Sequence, residues 1–345
     1  MARHVAQDFL TRRKKKPSTP AWTEGLTALA SVGLAAASAW LVYSNVAIDH
    51  QVPMPDAIDA TRKTFESSRA GRLSYYVDRR ATGRPLVLIH SINAAASAYE
   101  MSPLFNYFRS QRPVFALDLP GFGFSDRGSR TYSPQLYTQA ILDFVMSEVG
   151  ETVDVVTLSL GSEFVARAAM QQPDWFHSLA MLSPTGFSRQ QDRRSSQQAS
   201  DQGMSAILRP LFAFPLWGRA FYDLLATRGS IHYFLQKSFI GPVPTDLVEY
   251  DYITSHQPGA QHAPFYFISG ALFTPNVRQK VYEQVHTPTL VIYDRDNFTS
   301  FDMLPDHLAR NPRWQAARII PTLGLAQFER LPETVQAIER FWATP

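Results

Sequence analysis

Val153-Asp154-Val155-Val156-Thr157-Leu158-Ser159-Leu160-Gly161-Ser162-Glu163-Phe164-Val165-Ala166 reads as a short, mostly apolar strand that runs straight into a helix. The run from Val153 to Ser159 has the composition of a strand buried on both faces, and Gly161 to Gln171 has helical spacing. A serine on so sharp a turn is forced into a strained backbone and tolerates little bulk two residues to either side. Gly161 meets that demand, and Thr157 is a tolerated replacement for a second glycine. A Ser-x-Gly triplet alone recurs by chance. Its place at a strand-to-helix junction, after three earlier strand-like runs, is what gives it weight.

Outward from this junction the same rhythm repeats. Leu73 to Val77 alternates as a strand, and Pro85 to His90, Val114 to Asp118, Leu179 to Ser183 and Thr289 to Tyr293 are short apolar runs. Ala98 to Arg109 and Pro134 to Val149 lie between them with helical length and spacing. A repeated strand-helix order predicts an α/β fold with a mostly parallel, doubly wound sheet. A closing strand near Arg318 to Ile320 and a helix over Pro332 to Phe341 complete it. The rhythm breaks from Phe187 to about Val285, where a polar loop gives way to Phe212, Phe214, Trp217, Phe221 and Tyr222. An insertion of that size between strands predicts a helical cap over the C-terminal edge of the sheet, where such folds bind ligands. The cap aromatics fit its own core and also an apolar small-molecule ligand beneath it.

The 345-residue chain has 45% hydrophobic residues and 12% aromatics, which excludes a disordered protein. Its net charge of +3 arises largely from Arg12, Arg13, Lys14, Lys15 and Lys16, so the remainder is close to neutral and no nucleic-acid face is implied. The absence of cysteine rules out disulfides, thiolate metal sites and a cysteine nucleophile. Gly25 to Ala47 is an uncharged run of 23 residues, long enough as a helix to span a bilayer core of roughly 30 Å. Trp22 and Tyr43 suit its two interfaces. The basic cluster before it and Asp49, Asp56 and Asp59 after it place the N-terminus in the cytoplasm and the globular part outside. Ala37, Ser38 and Ala39 also resemble a signal-peptide cleavage site, but the apolar run continues through Leu41 and Val42, which favours a retained anchor. Ser31, Ala35 and Ala39 share one stripe, and Gly33 and Ala37 another, a pattern that permits close approach of a second membrane helix. The expected organisation is a basic tail over 1–22, a transmembrane helix over 23–47, a connector over 48–67, core over 68–187, cap over 188–285 and core again over 286–345.

Leu117 to Arg127, reading Leu-Asp-Leu-Pro-Gly-Phe-Gly-Phe-Ser-Asp-Arg, and His90-Ser91 after the strand Leu86-Val87-Leu88-Ile89 carry a resemblance to the α/β-hydrolase superfamily. It covers about Ser68 to Pro345, the cap being matched only in placement. The resemblance implies a serine hydrolase, with Ser159 as nucleophile and its acid after the strand ending at Tyr293. Asp296 matches best and Asp294 is the runner-up; either also suits a turn or helix cap. It further implies an oxyanion hole with one backbone N–H from Leu160 and a second from the turn at Ser91 and Ile92, where serine replaces the family's glycine. No cofactor or metal is called for, since Asp294-Arg295-Asp296 is too short for a calcium loop.

The departure from the family is the base. Where the pattern places its histidine, the chain reads Gly324-Leu325-Ala326-Gln327-Phe328-Glu329: ungapped alignment puts Leu325 at that position, and one gap puts Gln327 there. His307 precedes the final strand, His90 belongs to the oxyanion turn, and only the cap histidines His232, His256 and His262 could descend onto the serine. Loss of one triad member typically costs roughly 10⁴ to 10⁶ in rate. The sequence therefore predicts a membrane-anchored protein of esterase or lipase-like ancestry that is catalytically impaired or inactive. A noncatalytic binding or assembly subunit of a membrane complex is the alternative.

Overall fold

In the computed structural model the described residues are 21–190, 214 and 217–343. The basic cluster at 12–16 and Phe212 lie outside them, as do the side chains of Trp22 and Ser31. The chain forms two compact units, Met1–Ile48 and Asp49–Pro345.

The first unit carries helix α1, Ala21–Val46, over the expected span. Among the described residues no helix is long and apolar enough to cross a membrane. The described part of α1 is dominated by Ala, Ser and Gly, whose small side chains contribute little transfer free energy each. Gly33, Ala35, Ala37 and Ala39 are exposed along it.

The second unit is built on one sheet of eight described strands: β1 Thr61–Ser67, β2 Gly71–Asp78, β3 Leu86–Ile89, β4 Val114–Leu117, β5 Val153–Leu158, β6 Phe176–Leu182, β7 Thr289–Tyr293 and β8 Trp314–Arg318, in the order β1-β2-β4-β3-β5-β6-β7-β8. β1 pairs antiparallel with β2 and β2 with β4; every later pairing is parallel. β3, β4 and β5 are buried at every position, because helices cover both faces of the sheet. One face packs on α3 (Pro134–Asp143) and α4 (Gly161–Gln171) through Phe144, Phe164 and Val165. The other packs on α2 (Ser102–Phe108) through Leu104, Phe105 and Phe108.

Two expectations are corrected at the sheet edges. Residues 61–67, read as part of a connector, form β1; only Phe65 and Ser67 of this strand are buried. The last strand lies at Trp314–Arg318 rather than 318–320, and of its residues only Trp314 is buried. Edge strands bury too little to print an apolar run.

The cap contributes α5 (Gly218–Leu225), α6 (Arg228–Gln236), α7 (Thr245–Ser255) and α8 (His262–Ile268). Tyr222 and Phe265 fill its interior, whereas Phe214 and Trp217 are exposed, so the aromatic run is only partly cap core. The loop after β4 clamps the cap. The half-buried Arg127 guanidinium donates to the Thr254 carbonyl at 2.7 Å and hydroxyl at 2.8 Å, and His262 Nδ1 donates to the Arg127 carbonyl at 2.8 Å. The connector is tied to the same layer by His50, 3.0 Å from the Asp223 carboxylate. α9 (Val277–Lys280) leads into β7, and beyond that strand come α10 (Leu304–Arg310), α11 (Ala326–Glu329) and α12 (Leu331–Ala343), the last packing on the α2 face.

Candidate active site

Ser159 sits between β5 and α4 with φ of 52°, a left-handed conformation that costs a serine on the order of 1–3 kcal/mol. The turn is enforced by its surroundings. The Ser159 N–H donates to the Leu182 carbonyl at 2.9 Å, and a Cβ added at Gly161 would lie 2.6 Å from the His90 carbonyl oxygen. Only glycine fits there. Thr157, in the other position where bulk is restricted, is fully buried and its hydroxyl has no hydrogen-bond partner among the described residues. The Ser159 side chain remains partly exposed, and its hydroxyl meets no hydrogen-bond partner among those residues.

The two predicted oxyanion elements behave differently. The N–H groups of Leu160 and Ile92 donate to no protein acceptor among the described residues, which leaves both available to a developing charge. Ser91 is a correction. Its N–H donates to Glu100 Oε2 at 2.8 Å and its hydroxyl to Glu100 Oε1 at 2.9 Å, so it cannot serve as an oxyanion donor. Asn93 Nδ2 donates to the same carboxyl at 2.8 Å. Glu100 went unnoticed in the sequence; the one hint was the polar residue in place of glycine at Ser91.

Asp294 and Asp296 separate cleanly. Asp294 is buried, 2.9 Å from Arg318 Nε, and accepts from the Thr322 N–H at 3.1 Å, which makes it a brace for β8 and the turn beyond it. Asp296 accepts from the Phe298 N–H at 2.7 Å, and a Cβ at Gly324 would stand 3.1 Å from its Oδ2. The Asp296 carboxyl therefore borders the residue immediately before Leu325. Burial pushes its pKa up to about 6, partly opposed by the N–H bonds of Phe298 and Thr299. No cation pairs with it among the described residues.

Leu325 opens α11 and packs between the cap cluster of Phe239, Leu247 and Val248 and the core. Gln327 is fully buried two residues on, its Nε2 donating to the Glu100 carbonyl at 3.1 Å. Leu325 thus serves cap and core packing, and Gln327 belongs to the packing behind it. Eight of the nine histidines are described, and none hydrogen-bonds Ser159. His90 Nε2 accepts from the Leu119 N–H at 2.9 Å and its Nδ1 donates to the Ser91 carbonyl at 2.6 Å; burial lowers its pKa to about 4, so it stays neutral and structural. His256 and His262 are held by the Tyr252 and Arg127 carbonyls, His232 is exposed, and His307 packs against Phe187 and Trp314.

A family model described as the alpha/beta hydrolase family matches residues 86–337, spanning the elbow, the cap and the Leu325 loop. The chain belongs to the α/β-hydrolase family. It is 30% identical over 119 residues, 33% of its length, to the uncharacterized hydrolase YugF of Bacillus subtilis (strain 168), and spans about two-fifths (41%) of that relative. Among solved structures it resembles a serine hydrolase involved in carbazole degradation (TM-score 0.63, 15% identity, 83% of this chain and 100% of that one). It also resembles a membrane phospholipase A (0.61, 16%, 93% and 97%) and an α/β-hydrolase-fold protein from Burkholderia ambifaria (0.57, 18%, 83% and 98%). At these identities the likeness establishes the shared fold.

The buried acids of this hydrolase give a testable pH response. Burial raises the Glu100 and Glu163 carboxyls to about 7, although Ser91 and Asn93, and Thr185 and Thr274, partly hold them down. Their folded pKa values lie above the unfolded ones, so the stability they contribute is fully present below about pH 4.5 and is lost as pH rises through about 7. The melting temperature is expected to fall between pH 5 and pH 8, and Glu163→Gln to flatten that slope. Calorimetry showing an unchanged slope in Glu163→Gln would contradict this assignment.

Proposed function

We propose that this chain is a membrane-attached serine-hydrolase-type protein of esterase or lipase ancestry, directed at acyl esters, whose turnover is impaired because Leu325 replaces the proton carrier. The observation that carries the reading is a strained, accessible serine with two free backbone donors, an acid without an ion-pair partner, and no imidazole hydrogen-bonded to that serine among the described residues. Ser159 is the nucleophile, Asp296 the acid, and Leu160 and Ile92 the oxyanion donors. A base must come within about 3 Å of the serine hydroxyl to take its proton. Without one, the hydroxyl attacks an ester only slowly, while the hole and the cleft still bind it.

The uncharged run over 25–47 and the aspartates after it support attachment with the N-terminus cytoplasmic and the globular unit outside. The apolar cap cluster around Leu325 suits an apolar acyl chain, in keeping with the lipase and phospholipase chemistry of proteins that share the fold. A fluorophosphonate probe tests the reading: wild type is expected to leave Ser159 unlabelled under conditions that label Leu325→His to completion. Rapid wild-type labelling, abolished by Ser159→Ala, would reject the impairment. Release of the full chain from membranes by a carbonate wash would reject the attachment.

A further inference from the structure

Helix α6 of the cap is apolar on both sides. Ile231 and Leu235 pack inward with Phe239, Leu247 and Val248, as the buried stripe of a surface helix should. The outer side of such a helix ordinarily carries polar side chains. Here it carries Tyr233, 58% exposed, and Phe234, 48% exposed, with ring centroids 5.4 Å apart. Lys237, one turn on, lays its ammonium over both rings, 4.3 Å from the Tyr233 centroid and 5.5 Å from that of Phe234.

The patch continues beyond the helix. The Lys237 carbonyl accepts from Asn297 Nδ2 at 2.7 Å, which fastens the turn carrying the exposed Phe298 to the end of α6. Glu329 accepts from the Ile240 N–H at 2.6 Å and from the Leu323 N–H at 2.7 Å, which fastens the exposed Ile240 to the Leu325 loop. Four exposed apolar side chains therefore border the two loops that carry Asp296 and Leu325. The free charge among them is positive. Neither Lys237 nor the exposed Arg295 forms an ion pair among the described residues, and the chain from Gly229 to Val243 contains no acidic residue. The two carboxyls nearby are occupied by backbone donors, Asp296 by the Phe298 N–H at 2.7 Å and Glu329 by the pair just named.

We propose that Tyr233, Phe234, Ile240 and Phe298, with Lys237 and Arg295, dock on the headgroup layer of an anionic phospholipid bilayer and turn the Asp296 and Leu325 loops toward it. Docking rests on the membrane attachment proposed above. Aromatic rings crossed by a lysine stem suit a bilayer interface, where the rings settle at headgroup depth and the ammonium reaches lipid phosphate. The connector supplies a second argument. His50 follows the last residue of the uncharged run, Ala47, by three positions, at most about 11 Å of extended chain. It is buried 3.0 Å from Asp223 on α5, the helix immediately before α6. A chain leaving a bilayer at Ala47 is thus tethered too closely to carry this part of the cap far from the lipid surface.

The chain has no cysteine, so one introduced residue can be labelled alone. Phe234→Cys and Phe298→Cys, each carrying nitrobenzoxadiazole, are compared with Glu151→Cys, an exposed position before β5. The full chain is reconstituted in vesicles of equimolar phosphatidylglycerol and phosphatidylcholine containing a doxyl-labelled phosphatidylcholine. The labels at 234 and 298 are expected to be quenched at least about threefold more than the label at 151, and Lys237→Glu combined with Arg295→Glu should remove the difference. Quenching equal to that at 151, quenching unchanged by the charge reversals, or a blue shift without lipid quenching, as a covering second copy would give, overturns the docking. Flotation of the same vesicles separates the two readings. A chain that floats with both labels unquenched loses the docking and keeps the attachment; one that does not float loses both.

Discussion

Leu325→His is expected to hydrolyse p-nitrophenyl butyrate at least about 10²-fold faster than the wild-type chain, with the gain abolished by Ser159→Ala. Removing one triad member from a working enzyme costs roughly 10⁴ to 10⁶, so on the proposed reading of Leu325 its replacement by histidine has that much to recover. The remaining parts are in place. Ser159 is held at φ of 52°, the Leu160 and Ile92 N–H groups are free, and the Asp296 carboxyl borders Gly324, immediately before the substituted position. Full recovery is not expected, because Leu325 now packs with Phe239, Leu247 and Val248, and an imidazole would give up part of that contact. The pH profile is a second readout. Asp296 stands at about 6 with no cation beside it among the described residues, and a neighbouring imidazolium would draw it lower, so the limiting titration becomes that of the imidazole. Activity should rise with pH through about 6 to 7 and then level off. Gln327→His should gain nothing, since that side chain is committed to the Glu100 carbonyl behind the site. A folded Leu325→His no faster than wild type would overturn the reading of Leu325 as the substituted base.

How much of this was legible in the sequence follows from what each feature depends on. The buried strands and α4 print themselves, because burial on both faces demands an uninterrupted apolar run and a helix under a sheet demands a 3.6-residue period. β1 and β8 do not: Thr61–Ser67 buries only Phe65 and Ser67, and Trp314 is the one anchor of β8. The elbow was legible because its strand, turn and helix follow one another in sequence, although the approach of the His90 carbonyl that excludes a side chain at Gly161 comes from a distant strand end. The loss of Ser91 as a donor was not, since it depends on a carboxyl nine residues further on that returns through a helical turn.

Gly123→Ala is expected to be the most damaging small substitution in the core. Gly123 has φ of 51°, and a Cβ there would lie 2.0 Å from the Asp118 carboxyl, far inside contact distance. That carboxyl cannot simply swing away. Its Oδ1 accepts from the Ala98 N–H at 2.9 Å and its Oδ2 from the Phe124 N–H at 3.0 Å, joining the start of the helical turn before α2 to the loop that carries Arg127. Displacing it strands two buried N–H groups at about 1–3 kcal/mol each, and the left-handed backbone adds about 1 kcal/mol for any side chain. The sum of roughly 3–7 kcal/mol is a large part of the 5–15 kcal/mol that holds a typical domain together. Because Arg127 clamps the cap through Thr254, the loss should spread from the sheet to the cap, and the variant should melt at least about 10 °C lower or fail to accumulate. Gly229→Ala is the matched control. It lies on α6, has nothing within 4 Å of an added Cβ and no positive φ, so alanine there should leave stability unchanged or raise it by up to about 1 kcal/mol. A Gly123→Ala protein that melts within 2 °C or so of wild type would mean that the Asp118 bridge is not what fixes this loop.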